Sequence, residues 1–347
     1  MLSFGASIKR GTKARGFRGV GRFSGLGYCR KLIFRTKSAK ETYVSEVIWD
    51  GQLLKRLLAD NSSPLSINEL VKQVAQFHEY ESGGIQEHFF EVELQSVVRL
   101  GNDVLLNETA VESFISQTCP VPYSPKFSLK GELEALLRKQ KICTGYKLTL
   151  ADDFNDARLI FRPYRDQFKL SENESDEITG IDYFEIDGVD GDISAIGWIF
   201  LQDYKGILPA VHNIRGIRVR AGNTQIGEES ILTHSFPEPR FNSWSIGEIH
   251  VLEQKMSPNG RRDNFDNNQH WLTLQNQFAA HGKLIAKVCR KNSSERNAVK
   301  RFRAEALRTE QVHRVLASGN LAKSKAGQIQ MELDGNLLNL AKLGAAS

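Results

Sequence analysis

The sequence predicts an α+β protein with two mixed domains, over residues 1–145 and 146–292, and a basic helical tail over 293–347. Three observations predict it. At about 150 residues per domain, a chain of 347 residues suits two domains, each long enough to bury its own core. Helix-type and strand-type hydrophobic periods alternate along both halves, and neither dominates. Beyond Ser293 the sequence turns basic, with Arg296, Lys300, Arg301, Arg303, Arg308 and Arg314 around a narrow apolar strip of Val299, Phe302 and Ala306, a width that suits a partner helix.

The elements follow in order. A polar, glycine-rich opening leads to a short helix expected over 22–29 and then to strands over 32–36 and 43–49. Ser66-x-x-Glu69 is a capping box, and Leu70, Val71, Val74 and Phe77 after it read as one helical face. A strand rich in Phe and Val is expected over 88–100. Asn107 then caps a helix that Pro120 stops just beyond Cys119, with Pro122 and Pro125 extending the break. A further helix is expected over 128–141. In the second half, strands are expected over 146–150, 158–162, 195–201, 214–220 and 246–252. Trp271, Leu274, Phe278, Ile285 and Val288 fall on one helical face that would cross that sheet.

Composition excludes several classes. Apolar residues make up 40% and charged residues 25%, ordinary values for a folded soluble chain. The longest apolar stretch, 193–201, is broken by Ser194 and Gly197 and falls far short of the about 20 residues a membrane helix needs. No membrane partner is expected. Cys29, Cys119, Cys143 and Cys289 form no C-x-x-C pair, which argues against a zinc cluster or a disulfide framework and favours a reducing cytoplasm. No apolar leader segment opens the chain, so secretion is not expected.

The net charge is only +5, but it is unevenly spread. Residues 1–40 carry eleven Lys or Arg and no acid, whereas residues 170–204 carry ten Asp or Glu and no Lys or Arg. The basic end is expected to meet something anionic. The acidic stretch either repels polyanions, attracts a basic surface, or is a solvated face.

The richest local chemistry runs Gly16-Phe17-Arg18-Gly19-Val20-Gly21-Arg22-Phe23-Ser24. Glycines let main-chain N–H groups approach an anion closely, and a helix beginning there would aim its unpaired N–H groups at it. Arg18 and Arg22 would neutralise charge, and Ser24 Oγ would cap the helix or donate to a phosphate oxygen. The alternative is an ordinary tight turn. Two known phosphate motifs do not fit: no Gly-Lys-Ser/Thr is present, and the loose dinucleotide-like spacing Gly19, Gly21, Gly25 follows a basic stretch where a strand is required.

The stretch SIKRGTKARGFRGVGRFSGLGYCRKLIFRT resembles the ATP lid, last glycine box, helix and strand of the GHKL ATPases, the superfamily of gyrase B, heat-shock chaperones, histidine kinases and MutL. Downstream, GIRVRAGNTQIGEESI, FPEPRFNSWSIGEIHVL and SPNGRRDNFDNNQHW resemble the transducer domain of its heat-shock-chaperone-like and MutL-like members. The resemblance runs from about residue 5 to 290. It implies two α/β sandwiches, part of a Bergerat-type nucleotide domain and then a ribosomal-S5-like transducer.

By that resemblance the protein is an ATP-binding, nucleotide-gated clamp. Amides around Gly19, Gly21 and Phe23 would hold phosphates, within a site comprising Gly16, Arg18, Gly19, Val20, Gly21, Arg22, Phe23 and Ser24. Arg261 or Arg262 would reach the terminal phosphate from the transducer, since a guanidinium fork couples phosphate charge to domain position. A structural ion pair or turn formed by Arg262 and Asp263 is the alternative. The family's acidic base, magnesium-binding Asn and Asp-x-Gly-x-Gly lie ahead of the lid and have no counterpart in this sequence. ATP is therefore expected with magnesium whose protein ligand comes from elsewhere, hydrolysis is expected to be impaired, and a homodimer or a complementing chain is the expected partner.

Other chemistry is sparse. Eight histidines show no H-E-x-x-H, no G-x-S-x-G is present, and Asp187, Asp190 and Asp192 in DGVDGD lack the D-x-D-x-D-G spacing of a calcium loop. A second functional class stays open, a non-catalytic module in which the basic N-terminal and C-terminal segments contact nucleic acid or protein.

Overall fold

The computed structural model describes residues 21–60, 65–84, 87–99, 104–153, 156–319 and 322–345. The chain is α+β, with two main sheets and a C-terminal helical stretch, and it divides into two compact units, Met1–Asn107 and Glu108–Ser347.

The first unit opens on a 3-10 helix, Gly21–Gly27, that runs into strand β1 (Cys29–Lys37) and then β2 (Tyr43–Asp50). Helices α1 (Gly51–Ala59) and α2 (Ile67–Val74) lead to β3 (Ala75–Glu81) and β4 (Phe89–Val97). The strands form one antiparallel sheet in the order β3-β2-β1-β4. Its inner face presents Leu32, Phe34, Val47 and Trp49 to Leu53, Leu57, Leu70 and Val71 of the helices and to Phe23 and Leu26 of the 3-10 helix. On the sheet, Arg35 bonds to Glu46 at 2.6 Å, to Glu93 at 2.8 Å and to Glu91. Asp50 caps α1 by accepting from Leu53 N at 2.8 Å. Gly51 is required where that helix starts, because a Cβ there would lie 2.9 Å from the Cys29 carbonyl oxygen.

The capping box forms as expected: Glu69 N donates to Ser66 Oγ, and Ser66 N donates to Glu69 Oε2 at 2.9 Å. The helix behind it is shorter than its apolar spacing suggests. It stops at Val74, and Phe77, in β3, pairs with Val47 of β2. Strand pairing with β2 outweighs the local helical period there.

The second unit contains α3 (Glu108–Thr118), α4 (Lys130–Lys139), two small ribbons and a five-stranded sheet. The ribbons are β5 (Thr149–Leu150) with β6 (Arg158–Leu159), and β7 (Gln167–Lys169) with β8 (Ser175–Glu177). The sheet comprises β9 (Gly180–Asp187), β10 (Ile193–Leu201), β11 (Gly216–Ala221), β12 (Thr224–Ile226) and β13 (Ile246–Val251), in the order β12-β11-β13-β10-β9. Only β11 and β13 run parallel among its pairs. One face packs on α5 (Gln269–Ala317) through Ile199, Ile217, Val219 and Ile249 against Trp271, Leu274 and Phe278. The other packs Trp198, Phe200 and Ile246 on Tyr123, Phe127, Leu133 and Tyr164. Covering both faces explains why β10 reads as a continuous apolar run.

Helix α5 runs unbroken for 49 residues and joins the expected transducer helix to the expected tail. Val288, expected on its buried face, is 43% exposed, and Ala286 and Cys289 are buried in its place. The antiparallel α6 (Lys323–Ala345) packs back on it, with Arg308 bonded to Glu332.

The division falls at Asn107/Glu108, ahead of the expected boundary near 145. Arg158 pairs with Glu108 and with Glu112 at 2.8 Å, and Arg220 Nη2 donates to Gln117 O at 2.8 Å, so α3 is fastened to the second unit. The acidic stretch builds β8, β9 and β10. Its charges Asp182, Glu185 and Asp187 face outward from the sheet-edge strand β9, which blunts edge pairing, while Asp176 is buried and accepts from the Asp203 and Lys205 amides. No described helix is long and apolar enough to cross a membrane.

Candidate functional site

Gly16, Arg18, Gly19 and Val20 lie outside the described residues. The rest of the glycine box is a seven-residue 3-10 helix where a short helix is expected. Among the described residues, no atom beyond its chain neighbours lies within 4 Å of the place a Cβ would occupy on Gly21. Arg22 places its guanidinium 4.9 Å from the centre of the Phe23 ring. Phe23 is buried and packs edge-on against Trp49 at 4.8 Å, so its side chain serves the core and leaves only its main chain for a ligand. Ser24 Oγ donates to Gly21 O at 2.8 Å, so its proton is engaged within the turn.

Beside this box lies a cleft of about 460 Å³. Gly21, Arg22, Ser24 and Gly25 form one side, and the floor is apolar, including Leu32, Phe34, Phe90 and Val92. The floor is exposed at its outer end, where Phe90 is 60% accessible.

In the second unit, Arg261 and Arg262 sit on a closed turn between β13 and α5. Asn259 N donates to Asn264 O at 2.9 Å, Arg262 N donates to Asn259 O at 3.2 Å, and Gly227 N donates to Arg262 O at 2.9 Å. Arg262 itself is left-handed at φ 60°. Asp263 accepts from Asn259 Nδ2. The ion pair between Arg262 and Asp263 that sequence spacing allows is not among the salt bridges of the described residues, and both guanidinium groups are exposed. The turn therefore presents two cations to solvent. The glycine box and this turn belong to different units.

The densest electrostatics lie elsewhere and were not anticipated. Alternation places Arg218 and Arg220 of β11 on one sheet face, and the parallel register sets them beside Glu248 and His250 of β13. Glu248 is fully buried. Its Oε1 accepts from Arg220 Nε at 2.7 Å and from the Tyr164 hydroxyl at 2.9 Å, and its Oε2 accepts from Arg162 and lies 2.9 Å from His250 Nε2. Arg162 also stacks over the Tyr123 ring at 4.5 Å and donates to Asn223. Trp198 stacks on His250 at 4.8 Å.

Burial opposes ionisation of Glu248, but Arg162 and Arg220 override it and hold the carboxyl well below its usual range. His250 is pushed down to about 4 by burial, against the pull of Glu248, so at neutral pH it is uncharged and donates from Nε2. Burial also lowers Arg218 and raises the hydroxyls of Tyr123 and Tyr164. Backbone carbonyls of Val121, Gln117 and Asn213 accept further guanidinium hydrogens, while Arg218 Nε is buried with no hydrogen-bond partner among the described residues. The cluster thereby ties α3 and the segments around Tyr123 and Tyr164 onto the sheet. Both Glu248 oxygens are occupied by donors, which suits structural anchoring better than proton transfer.

No protein-family model matches the chain, and a search of curated proteins returns no match.

Proposed function

We propose that the chain is a nucleotide-binding protein of the GHKL ATPase type, acting as a nucleotide-gated clamp in which ATP occupancy is coupled to domain position. The observation that carries this reading is the cleft beside the glycine box. A nucleotide asks for amides and a cation at its phosphates and for apolar contact at its base, and the cleft is lined on one side by glycine-box residues, Arg22 among them, and on its floor by apolar side chains. Gly21 supports it further, since open space above its α-carbon lets a ligand approach the main chain. The exposed guanidinium groups of Arg261 and Arg262 are the supporting candidates for a terminal phosphate.

The residues at the cleft do not fit a magnesium site. No carboxylate or carboxamide lines it among the described residues. Binding is accordingly the proposed activity of this chain, with hydrolysis dependent on groups supplied by a complementing chain.

The test is titration of the full chain with a fluorescent ATP analogue. Saturable binding is expected. Gly21→Val should weaken it about tenfold or more with unchanged circular dichroism, because a Cβ there meets no described atom but the side chain obstructs a phosphate; losing one charge-assisted bond in Arg262→Ala should do the same. Unchanged affinity in both variants would overturn the assignment.

A second reading has one observation in its favour. Lys300, Arg301 and Arg303 are exposed on one stretch of α5 with no carboxylate within salt-bridge distance among the described residues. Salt-sensitive retention of DNA without nucleotide, indifferent to Gly21→Val, would favour a nucleic-acid module.

A further inference from the structure

Asp190, Glu253 and His270 come from three separate places: the turn between β9 and β10, the segment after β13, and the first turn of α5. One ligand atom from each lies within 4.8 Å of the other two. His270 is only 8% exposed, and its Nδ1 is buried with no hydrogen-bond partner. That nitrogen faces Glu253 Oε2 at 3.9 Å, too far for a hydrogen bond. A buried, unpaired ring nitrogen costs free energy and calls for an explanation.

The spacing supplies one. A zinc-class ion sits about 2.0–2.1 Å from an imidazole nitrogen and about 2.0–2.2 Å from a carboxylate oxygen. Two atoms 3.9 Å apart can thus share one ion without backbone movement. Bringing in Asp190 takes up to about 1.5 Å of side-chain motion, which its exposed position in a turn permits.

We propose that Asp190, Glu253 and His270 form a divalent transition-metal site of the zinc class, with water completing the coordination. The imidazole selects such an ion over calcium or magnesium, which prefer all-oxygen shells. Glu253 is held ready for the role, because Lys255 N donates to its Oε1 at 2.8 Å and leaves Oε2 toward the histidine. Asn268 Nδ2 donates to Lys255 O at 2.9 Å and fixes the α5 end against the same segment. The positive end of α5 opposes a cation, but an exposed helix end does so more weakly than two carboxylates attract it. Lys255 is the competitor. Its ammonium lies 2.8 Å from Asp190 Oδ2 and must swing out when the ion enters, which its 60% exposure allows. A bound ion would join the end of the sheet to the base of the long helix.

The experiment is Co²⁺ titration of the full chain at pH 7.5 in thiol-free buffer, read by visible absorption and competed with Zn²⁺. One Co²⁺ per chain with d–d bands is expected, displaced by Zn²⁺. His270→Gln should weaken binding about a hundredfold, and Asp190→Asn, at an exposed position that leaves the core alone, about tenfold. Lys255→Met should tighten it about tenfold by removing the neighbouring charge. Zn²⁺ should also raise the melting temperature of the unaltered chain, and that of Asp190→Asn by less at the same concentration. Absence of a saturable band, the same band in both ligand variants, or a sulfur-to-cobalt charge-transfer band placing the ion on a cysteine would each overturn the proposal.

Discussion

Replacing Glu248 by Gln tests the buried cluster with one change of atom and almost no change of shape. Each carboxylate oxygen accepts from at least two donors, Arg220 and Tyr164 on one side and Arg162, His250 and the Tyr123 hydroxyl on the other. A glutamine keeps one acceptor and turns the other into an NH₂ group that points at at least two donors, whichever way the amide is flipped. Arg162, Arg218 and Arg220 would also remain buried without the carboxylate among them. Removing one partner of a buried ion pair costs about 3–5 kcal/mol, so a loss of that size is expected in urea unfolding followed by tryptophan fluorescence. Trp198, Trp244 and Trp271 report on this unit, and Trp198 touches the cluster directly. Glu185→Gln on the exposed edge strand is the control and should change stability by no more than about 0.5 kcal/mol. A loss below about 1 kcal/mol for Glu248→Gln, the size of a surface pair, would refute the view that this carboxylate holds the cluster together.

Two further outcomes follow from the same geometry. His250 is depressed from 6.5 to about 4 in the folded chain, so the unfolded chain takes up the proton first, and stability falls as the pH drops through that window, by about 3 kcal/mol in total. His281, lowered by its own burial, adds to the loss in the same direction. His250→Gln keeps a donor to Glu248 and should flatten most of the fall between pH 6.5 and 4.5 in urea titrations; an unchanged slope would contradict it. Gly51→Ala should destabilise the first unit by about 1–3 kcal/mol through the clash with the Cys29 carbonyl, read as faster amide exchange in β1 and α1 with the second unit unaffected.

The sequence and the structure agree where local signals are strong. Ser66 and Glu69 form their capping box, Asn107 precedes a helix that ends at Thr118, and the strands around Leu32, Ile196 and Ile249 appear within a few residues of expectation. Disagreement arises where long-range pairing decides. Phe77 has helical spacing but pairs with Val47, and α1 passed unnoticed because its Leu53, Leu54, Leu57 and Leu58 follow directly on a strand without a break. The arginine cluster was legible in principle. Arg218, Arg220, Glu248 and His250 occupy alternating positions in otherwise apolar strands, which signals a polar layer inside rather than a solvated face, but only the parallel register of β11 and β13 brings the two strands' charges together. Asp190, Glu253 and His270 are separated by 63 and 17 positions in sequence, and no motif spacing joins them.

Helix α5 has a mechanical consequence. At about 1.5 Å per residue its 49 residues extend about 74 Å, and only the part up to Cys289 is embedded against the sheet. Arg290, Asn292 and Arg296 still hold the next turns to Glu238, Asp203 and Tyr204, and the 21 residues beyond, 297–317, form an arm of about 32 Å, stiffened by the α6 strut. A tilt of about 10° at the embedded root carries the tip about 5 Å, so a modest reorientation of the helix against the sheet becomes a displacement nearly as large as a side chain.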